Sequence, residues 1–225
     1  MMRFRDRTDA GRQLAARLVG LQLQAPVVLG LPRGGIPVAA EVARALGAPL
    51  EVFVARKIGA PGHEELGIGA VAEGSDEPVV SDTAGRLWLR PPDIDALAQQ
   101  ARAELARRVA LYRGDRPLPE FADKDIVLVD DGLATGVTAE AALRSLRRTR
   151  PRRLVLAVPV CARETAARLA GLADDVVCAE TPAVFYAVGE WYEDFTQTTD
   201  EEVLDLLSWS PERVSGHRMR GAARQ

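Results

Sequence analysis

The chain has 225 residues, of which 47% are hydrophobic, enough for one domain with a sizeable core. Its formal net charge of −3 gives no general attraction to nucleic acid or to anionic membranes. The two cysteines and the absence of any apolar run of transmembrane length favour a cytoplasmic protein with free thiols that neither crosses a membrane nor depends on disulfides.

The first part of the chain has the pattern of a βαβ unit. We interpret the charged residues 1–8 as a loose arm, after which Thr8 or Asp9 is predicted to cap a helix. A second helix is predicted to end at Gly47. This second helix lies between two apolar runs that we expect to be parallel strands, 25–31 and 50–55.

Residues 56–67 are polar and rich in glycine and proline, which is typical of a loop. Short apolar runs at 68–72 and 78–80 predict two strands. Pro91 then opens a long helix that is predicted to extend to about Tyr112.

The most informative segment begins with four consecutive apolar residues, 126–129, that end in Asp130 and Asp131. Such a run predicts a strand buried on both faces, as in a parallel sheet. Small and hydroxylated residues follow over 132–138. A helix is predicted next, because its apolar positions have helical spacing: Ala139, Ala142, Leu143 and Leu146. Two carboxylates at the carboxyl end of a strand lie where open α/β sheets bind ligands.

The loop after these carboxylates has the composition of an anion site. Gly132 and Gly136 allow the backbone to approach a ligand closely. Successive N–H groups that lead into a helix bind anions, and Thr135 and Thr138 add hydroxyl donors. A phosphate suits this loop, whereas the two aspartates suit ribose hydroxyls or a Mg²⁺ ion that bridges to them.

A second loop of this kind follows the first strand. The residues Pro32-Arg33-Gly34-Gly35 stand between that strand and its helix, at the same predicted edge of the sheet. Arg33 could clamp a diphosphate there. Taken alone, this motif is equally compatible with a simple strand-to-helix turn.

The last third of the chain continues the alternation of strands and helices. Strands are predicted at 153–158 and 175–179, with a short helix between them. Residues 181–199 are irregular and aromatic, and Asp200 is predicted to cap a final helix. We place one domain over 1–209 and interpret 210–225 as a basic, disordered tail, for which solvation is favoured over contact with RNA.

The segment 126–138 resembles the phosphoribosyl-pyrophosphate (PRPP) signature of the type I phosphoribosyltransferases. The resemblance implies that Asp130 and Asp131 address the ribose hydroxyls and that the loop holds the 5′-phosphate through Gly132, Leu133, Ala134, Thr135, Gly136, Val137 and Thr138. It also implies that Arg33, Gly34 and Gly35 form the pyrophosphate loop, where a cis peptide is expected near Pro32-Arg33 or Arg33-Gly34.

By the same resemblance, 56–67 is the family's flexible catalytic loop, in which Arg56 and Lys57 bind pyrophosphate. His63 lies in this loop, and solvation is favoured over an acid–base role. The segment 181–199 corresponds to a hood over the acceptor base. Its candidate stacking residues are Phe185, Tyr186 and Trp191, for which a place in the core or in a dimer interface is an equal alternative.

The resemblance thus implies an α/β type I phosphoribosyltransferase fold: a mostly parallel sheet flanked by helices, with a small hood. The implied reaction transfers ribose 5-phosphate from PRPP to a nitrogenous acceptor with Mg²⁺, in a protein expected to be a homodimer. Three alternatives stay open: a PRPP-binding regulatory protein without transferase activity, an unrelated nucleotide-binding domain, and a structural scaffold.

Overall fold

The computed structural model describes residues 3–208, apart from the side chains of Glu64 and Glu65. Two sheets and seven α-helices lie in this part of the chain. The strands are β1 (Val27–Gly30), β2 (Leu50–Val52), β3 (Ala55–Ala60), β4 (His63–Ala72), β5 (Val79–Val80), β6 (Asp125–Val129), β7 (Arg153–Val160) and β8 (Asp175–Glu180). The helices are α1 (Arg7–Leu18), α2 (Gly35–Leu46), α3 (Asp82–Arg86), α4 (Pro91–Arg113), α5 (Val137–Arg148), α6 (Arg163–Leu169) and α7 (Asp200–Ser208).

The central sheet has five parallel strands in the order β2-β1-β6-β7-β8. Val28 in β1 is paired with Leu50 on one side and with Val127 on the other. From β1 the next strand, β2, is added on one side, whereas β6, β7 and β8 follow on the other side. The strand order therefore reverses between β1 and β6, which makes their junction the topological switch point. The predicted fold, a mostly parallel sheet flanked by helices, is confirmed.

Helices cover both faces of this sheet. Val28 packs into a core with α1 and α2, whereas its neighbour Leu29 packs into a second core with α5. The predicted apolar stripe of α5 is buried completely. Gly47 ends α2 in the left-handed region (φ +60°), as the sequence predicts.

The prediction of a loop over 56–67 is wrong. These residues form the antiparallel hairpin of β3 and β4, whose turn is at Pro61 and Gly62, and β5 adds a short third strand. Ile58 pairs with Gly69, and the register shifts on either side of Gly59. The local composition favours a loop, but hydrogen bonds between β3 and β4 and the burial of Ile58 stabilise the hairpin instead. These interactions join residues on opposite sides of the turn.

Residues 3–8 are also not the loose arm that their charge predicts. Phe4 is buried and forms a β-bridge with Tyr192, to which its ring also packs at a centroid distance of 5.5 Å. Asp6, and not Thr8 or Asp9, caps α1: its carboxylate accepts a hydrogen bond from the Asp9 N–H at 2.7 Å. We name residues 3–8 the N-terminal arm, of which Arg7 and Thr8 are also the first residues of α1.

The hood, residues 181–199, is irregular except for a short 3₁₀ helix over Val188–Trp191. Thr199, rather than Asp200, caps α7, because it exchanges hydrogen bonds with Glu202 in a capping box. The predicted tail over 210–225 lies outside the described residues. Among the helices of the described residues, none is long and apolar enough to cross a membrane.

A buried ion pair joins the two sheets to the long helix. Arg113 at the end of α4 contacts Glu73, which follows β4, and the two side chains are only 5% and 6% exposed. Arg113 also donates to the Val52 carbonyl at 3.3 Å, and Glu73 accepts from the Val54 N–H at 2.7 Å. Because each charge has several partners, removal of one leaves the other buried and unpaired.

We therefore expect Arg113→Met to lower the free energy of unfolding by about 3–5 kcal/mol. Urea denaturation monitored by circular dichroism measures this change. The control is Arg12→Met, since Arg12 is 63% exposed and its ion pair with Glu41 is worth at most about 1 kcal/mol. Equal stabilities of the two variants would contradict a role for the buried pair in joining the sheets.

Candidate functional site

The two predicted ligand loops meet at the switch point of the sheet. The strands β1 and β6 are neighbours, and the Leu31 N–H donates to the Val129 carbonyl at 2.9 Å as both strands end. A Cβ atom added to Gly34 would lie 2.0 Å from Asp131 Oδ2, and one added to Gly35 would lie 2.9 Å from Asp130 Cα. The loop over 32–35 and the aspartates thus touch at a distance that only glycine permits.

The expected cis peptide is present between Pro32 and Arg33. The Arg33 guanidinium lies 3.9 Å from Asp200 at the start of α7, with a quarter of its side chain exposed. Asp200 also accepts a hydrogen bond from the Tyr112 hydroxyl at 2.5 Å. Burial and this hydrogen bond raise the pKa of Tyr112 to about 12, so the phenol remains a donor at neutral pH.

Asp130 and Asp131 are adjacent carboxylates that are largely withdrawn from solvent. Burial, and secondly the negative charge of Asp131, raise the pKa of Asp130 well above its usual range. Burial also raises the pKa of Asp131, and the charge of Arg7 opposes that rise. A hydroxyl donor or a cation beside this pair would stabilise its ionised form.

Arg7 is a site residue that the sequence analysis missed, because residues 1–8 had only the signature of a charged arm. Its Nε donates to Asp131 Oδ2 at 2.8 Å, and the two side chains are 11% and 15% exposed. Tyr192 belongs to the aromatic segment 181–199, and the sequence alone does not distinguish it from its aromatic neighbours. Its hydroxyl donates to the Asp131 carbonyl at 2.6 Å, so the hood and the N-terminal arm both hold Asp131.

The loop over 132–138 has the form of an anion site. Within residues 3–208, no hydrogen bond is donated by the N–H groups of residues 134–136 or by the hydroxyls of Thr135 and Thr138. Gly136 adopts φ +68° and precedes α5, whose first turn contributes Val137 and Thr138. These donors surround the N-terminus of a twelve-residue helix, where backbone dipoles favour negative charge.

The carbonyl groups of the same loop are bound on the other side by α6. Thr165 donates to the Ala134 carbonyl at 2.5 Å, and Arg168 donates to the Thr135 carbonyl at 2.5 Å. Leu133 is buried, and its backbone exchanges hydrogen bonds with Val160 and Ala162. Neither Thr165 nor Arg168 could be predicted as a site residue from the sequence, because their contacts depend on the packing of a separate helix.

Arg56 and Lys57 are adjacent in β3, so their side chains leave opposite faces of the hairpin. A Cβ atom added to Gly67 would lie 3.1 Å from Lys57 Cδ and 3.9 Å from Val137 Cγ1. Lys57 therefore lies on the face that borders the 132–138 loop. The β-ladder partner of Arg56, Val71, packs instead into the core that contains α4.

The three candidate stacking residues have different environments. Trp191 is buried among Phe4, Tyr192 and their neighbours, whereas Tyr186 is 80% exposed. The Phe185 ring stacks on Trp191 with an interplanar angle of 8° and a centroid distance of 6.5 Å. His63 is exposed at the turn of the hairpin.

Among the described residues, no group of three or more His, Cys, Asp or Glu side chains could hold a metal ion. The acidic side chains where the two loops meet are the pair Asp130 and Asp131. Two carboxylates suit Mg²⁺ when phosphate groups of a substrate supply further oxygen ligands.

Comparison with known proteins places this site in a family context. The model of the phosphoribosyl transferase domain matches residues 5–194. Two Mycobacterium tuberculosis proteins, of strains CDC 1551 and H37Rv and each named "Putative phosphoribosyl transferase", are 47% identical over 207 residues. These matches cover 92% of the chain, and the chain spans about half (47%) of the length of these relatives.

Two solved structures extend the comparison. The crystal structure of the TT1426 protein from Thermus thermophilus is 48% identical, with a TM-score of 0.76 over 92% of this chain and 98% of that one. The AQ2163 protein of Aquifex aeolicus is 15% identical, with a TM-score of 0.50 over 91% of this chain and 86% of that one, and so supports the fold alone.

The contact between the loops can be tested by Gly34→Ala. The Gly34 backbone (φ −61°, ψ −31°) suits alanine, so the obstacle is the Asp131 carboxylate. Because that carboxylate would have to leave Arg7, we expect the free energy of unfolding to fall by about 1–3 kcal/mol. Gly85→Ala is the control, since a Cβ there has no neighbour within 4 Å. Unchanged stability of the Gly34 variant would show that the loops are not in contact.

Proposed function

Because this chain belongs to the phosphoribosyl transferase family, we propose that it binds PRPP and transfers ribose 5-phosphate to a nitrogenous acceptor, releasing pyrophosphate. One observation carries the proposal. Paired carboxylates, a glycine loop and a set of unpaired N–H groups meet at the switch point of a parallel sheet. These groups match the three parts of PRPP: ribose hydroxyls, pyrophosphate and 5′-phosphate.

We assign the 5′-phosphate to the loop over 132–138. A dianionic phosphate would accept from the N–H groups of residues 134–136 and from the hydroxyls of Thr135 and Thr138. Hydrogen bonds to a charged acceptor are roughly twice as strong as neutral ones. Thr165 and Arg168 would keep the carbonyl groups of Ala134 and Thr135 away from the anion.

We assign the ribose hydroxyls to Asp130 and Asp131. Hydroxyl donors would compensate the desolvation that raises the pKa values of both carboxyl groups. The same pair would hold Mg²⁺ together with oxygens of the substrate, and the ion would neutralise charge that develops on the leaving pyrophosphate.

We assign pyrophosphate to the loop of Arg33, Gly34 and Gly35 and to Lys57. Arg33 has a weak, long contact with Asp200 that a pyrophosphate group could replace. Lys57 lies on the face of the hairpin that borders the 132–138 loop, and we therefore assign no pyrophosphate contact to Arg56.

In this reaction the bond between C1 and the pyrophosphate oxygen breaks, and the oxygen keeps the electron pair. The acceptor nitrogen bonds to C1 and releases its proton. Positive charge that develops at C1 resembles the oxocarbenium-like transition state of glycoside transfer. No covalent nucleophile on the protein is required, so catalysis consists of orientation and of charge stabilisation on the leaving group.

For the acceptor we propose the exposed part of the hood. Phe185 and Tyr186 would stack on a planar base, while buried Trp191 supports Phe185 from behind. This arrangement keeps Trp191 in the core and leaves the other two aromatic residues for the ligand.

The direct test is calorimetric titration of PRPP with and without Mg²⁺, followed by measurement of pyrophosphate release with purine and pyrimidine bases. Mg²⁺-dependent binding and release with at least one base are expected. Binding without release would favour a PRPP-sensing regulatory protein. No binding would refute the proposal and favour another nucleotide or a scaffold.

Asp131→Asn tests the ribose assignment. The substitution keeps the shape of the side chain but removes its charge, and we expect PRPP affinity to fall about tenfold or more, a cost of ~1.4 kcal/mol. Asp95→Asn, an exposed carboxylate on α4, is the control and should bind as the wild type does. Unchanged affinity and turnover in the Asp131 variant would contradict the assignment.

Lys57→Met and Arg56→Met form a matched pair, since each removes one positive charge from neighbouring positions of β3. We expect the Lys57 variant to lose PRPP affinity by about tenfold or more, because a charged hydrogen bond is lost. The Arg56 variant should change by less than about twofold. Equal losses would mean that general charge, and not the face of the hairpin, determines binding.

A further inference from the structure

Arg7 contacts three parts of the molecule: Asp131 after β6, the hood, and the loop over 32–35. Its Nε donates to Asp131 Oδ2 at 2.8 Å, and its NH1 group donates to the Thr196 carbonyl of the hood at 2.7 Å. Its guanidinium carbon lies 4.0 Å from the centre of the Phe195 ring. A Cβ atom added to Gly34 would lie 3.1 Å from Arg7 Nε, so the loop over 32–35 also packs against the Arg7 side chain.

The contact with Asp131 is single. One N–H of Arg7 meets one carboxylate oxygen, Oδ2, so Arg7 does not occupy the other oxygen. A forked contact would cover both oxygens and leave the carboxylate less able to accept from a substrate. The observed geometry fixes the carboxylate and still leaves it an acceptor for a further donor.

The hood holds the same residue through its backbone. The Tyr192 hydroxyl donates to the Asp131 carbonyl at 2.6 Å. The N-terminal arm is in turn bonded to the hood: the Phe4 N–H donates to the Trp191 carbonyl at 2.9 Å, and the Glu193 N–H donates to the Phe4 carbonyl at 2.8 Å. Arm and hood therefore form one unit that holds both the main chain and the side chain of Asp131.

We propose that Arg7 is a positioning residue for the transfer reaction: it holds the Asp131 carboxylate in the orientation that receives the ribose, and it connects this carboxylate to the hood. The inference rests on the proposed function, because the ribose assignment of Asp131 belongs to it. Arg7 acts through Asp131 and need not touch PRPP.

Two other roles for Arg7 make different predictions. A purely structural arginine would stabilise the hood through Thr196 and Phe195, contacts that do not require the Asp131 charge. An arginine that binds PRPP directly would contribute to affinity whether or not Asp131 is charged. A double-mutant cycle separates these roles from positioning, because it measures whether the effect of one residue depends on the other.

The experiment compares PRPP affinity, by calorimetry with Mg²⁺, in wild type, Arg7→Gln, Asp131→Asn and the double variant. We expect Arg7→Gln to weaken binding about tenfold alone but less than about twofold when Asp131 is already asparagine. Arg7→Lys should restore most of the affinity, since one ammonium N–H suffices for a single contact. Arg5→Gln is the control, because Arg5 is in the same arm and is 70% exposed.

Urea unfolding of the same four proteins without ligand provides an independent readout. Non-additive stabilities are expected from the ion pair whether or not the protein binds PRPP. If the wild type fails to bind PRPP, both the proposed function and the role of Arg7 in it are refuted. The unfolding cycle would still measure the coupling between Arg7 and Asp131. If PRPP binds and Arg7→Gln costs the same in both backgrounds, or costs nothing, positioning is overturned while the proposed function stands.

Discussion

The site depends on one contact, the approach of the glycine loop after β1 to the two aspartates after β6. Neighbouring parallel strands deliver these loops to the same edge of the sheet, but the distance between them is set by Gly34 and Gly35. The approach withdraws two carboxylates from water, which disfavours their charged forms. The structure partly offsets this cost with Arg7 and with the Asp131 N–H, which donates to Asp130 at 2.9 Å. Hydroxyl donors of a substrate would offset the remaining cost of desolvating the two carboxylates.

The remaining architecture holds that contact in place. The buried strands and the two helical layers form a rigid frame in which side chains have little freedom to rearrange. The hairpin of β3 and β4 belongs to a separate sheet, and its orientation depends on the packing of α4 and α5 and on the buried pair of Glu73 and Arg113. Lys57 thus lies on the face that borders the loop, in an element that is not part of the central sheet.

The parts that the sequence predicted well share a local cause. The run over 126–129, its two aspartates and the helical spacing after Gly136 each depend on residues within a few positions of one another, and they were found as a strand, a loop and a helix. The hairpin was missed because its stability comes from pairing across the turn, which composition does not encode. Arg7 was missed for the same reason at longer range, since its partner is 124 positions away.

This difference has a physical meaning for the site. The groups that would bind the phosphates are backbone N–H groups and glycines, whose roles follow from local chain geometry and therefore leave a signature in sequence. The groups that hold Asp131 come from the arm and the hood, which are far apart in the sequence and are joined only by tertiary contacts. An acceptor that packed on the hood would lie against the unit that holds Asp131 by its carbonyl and its carboxylate. Occupancy of the acceptor site and orientation of the ribose site would then be coupled through the same hydrogen bonds, with Arg7 and Tyr192 as the connecting residues.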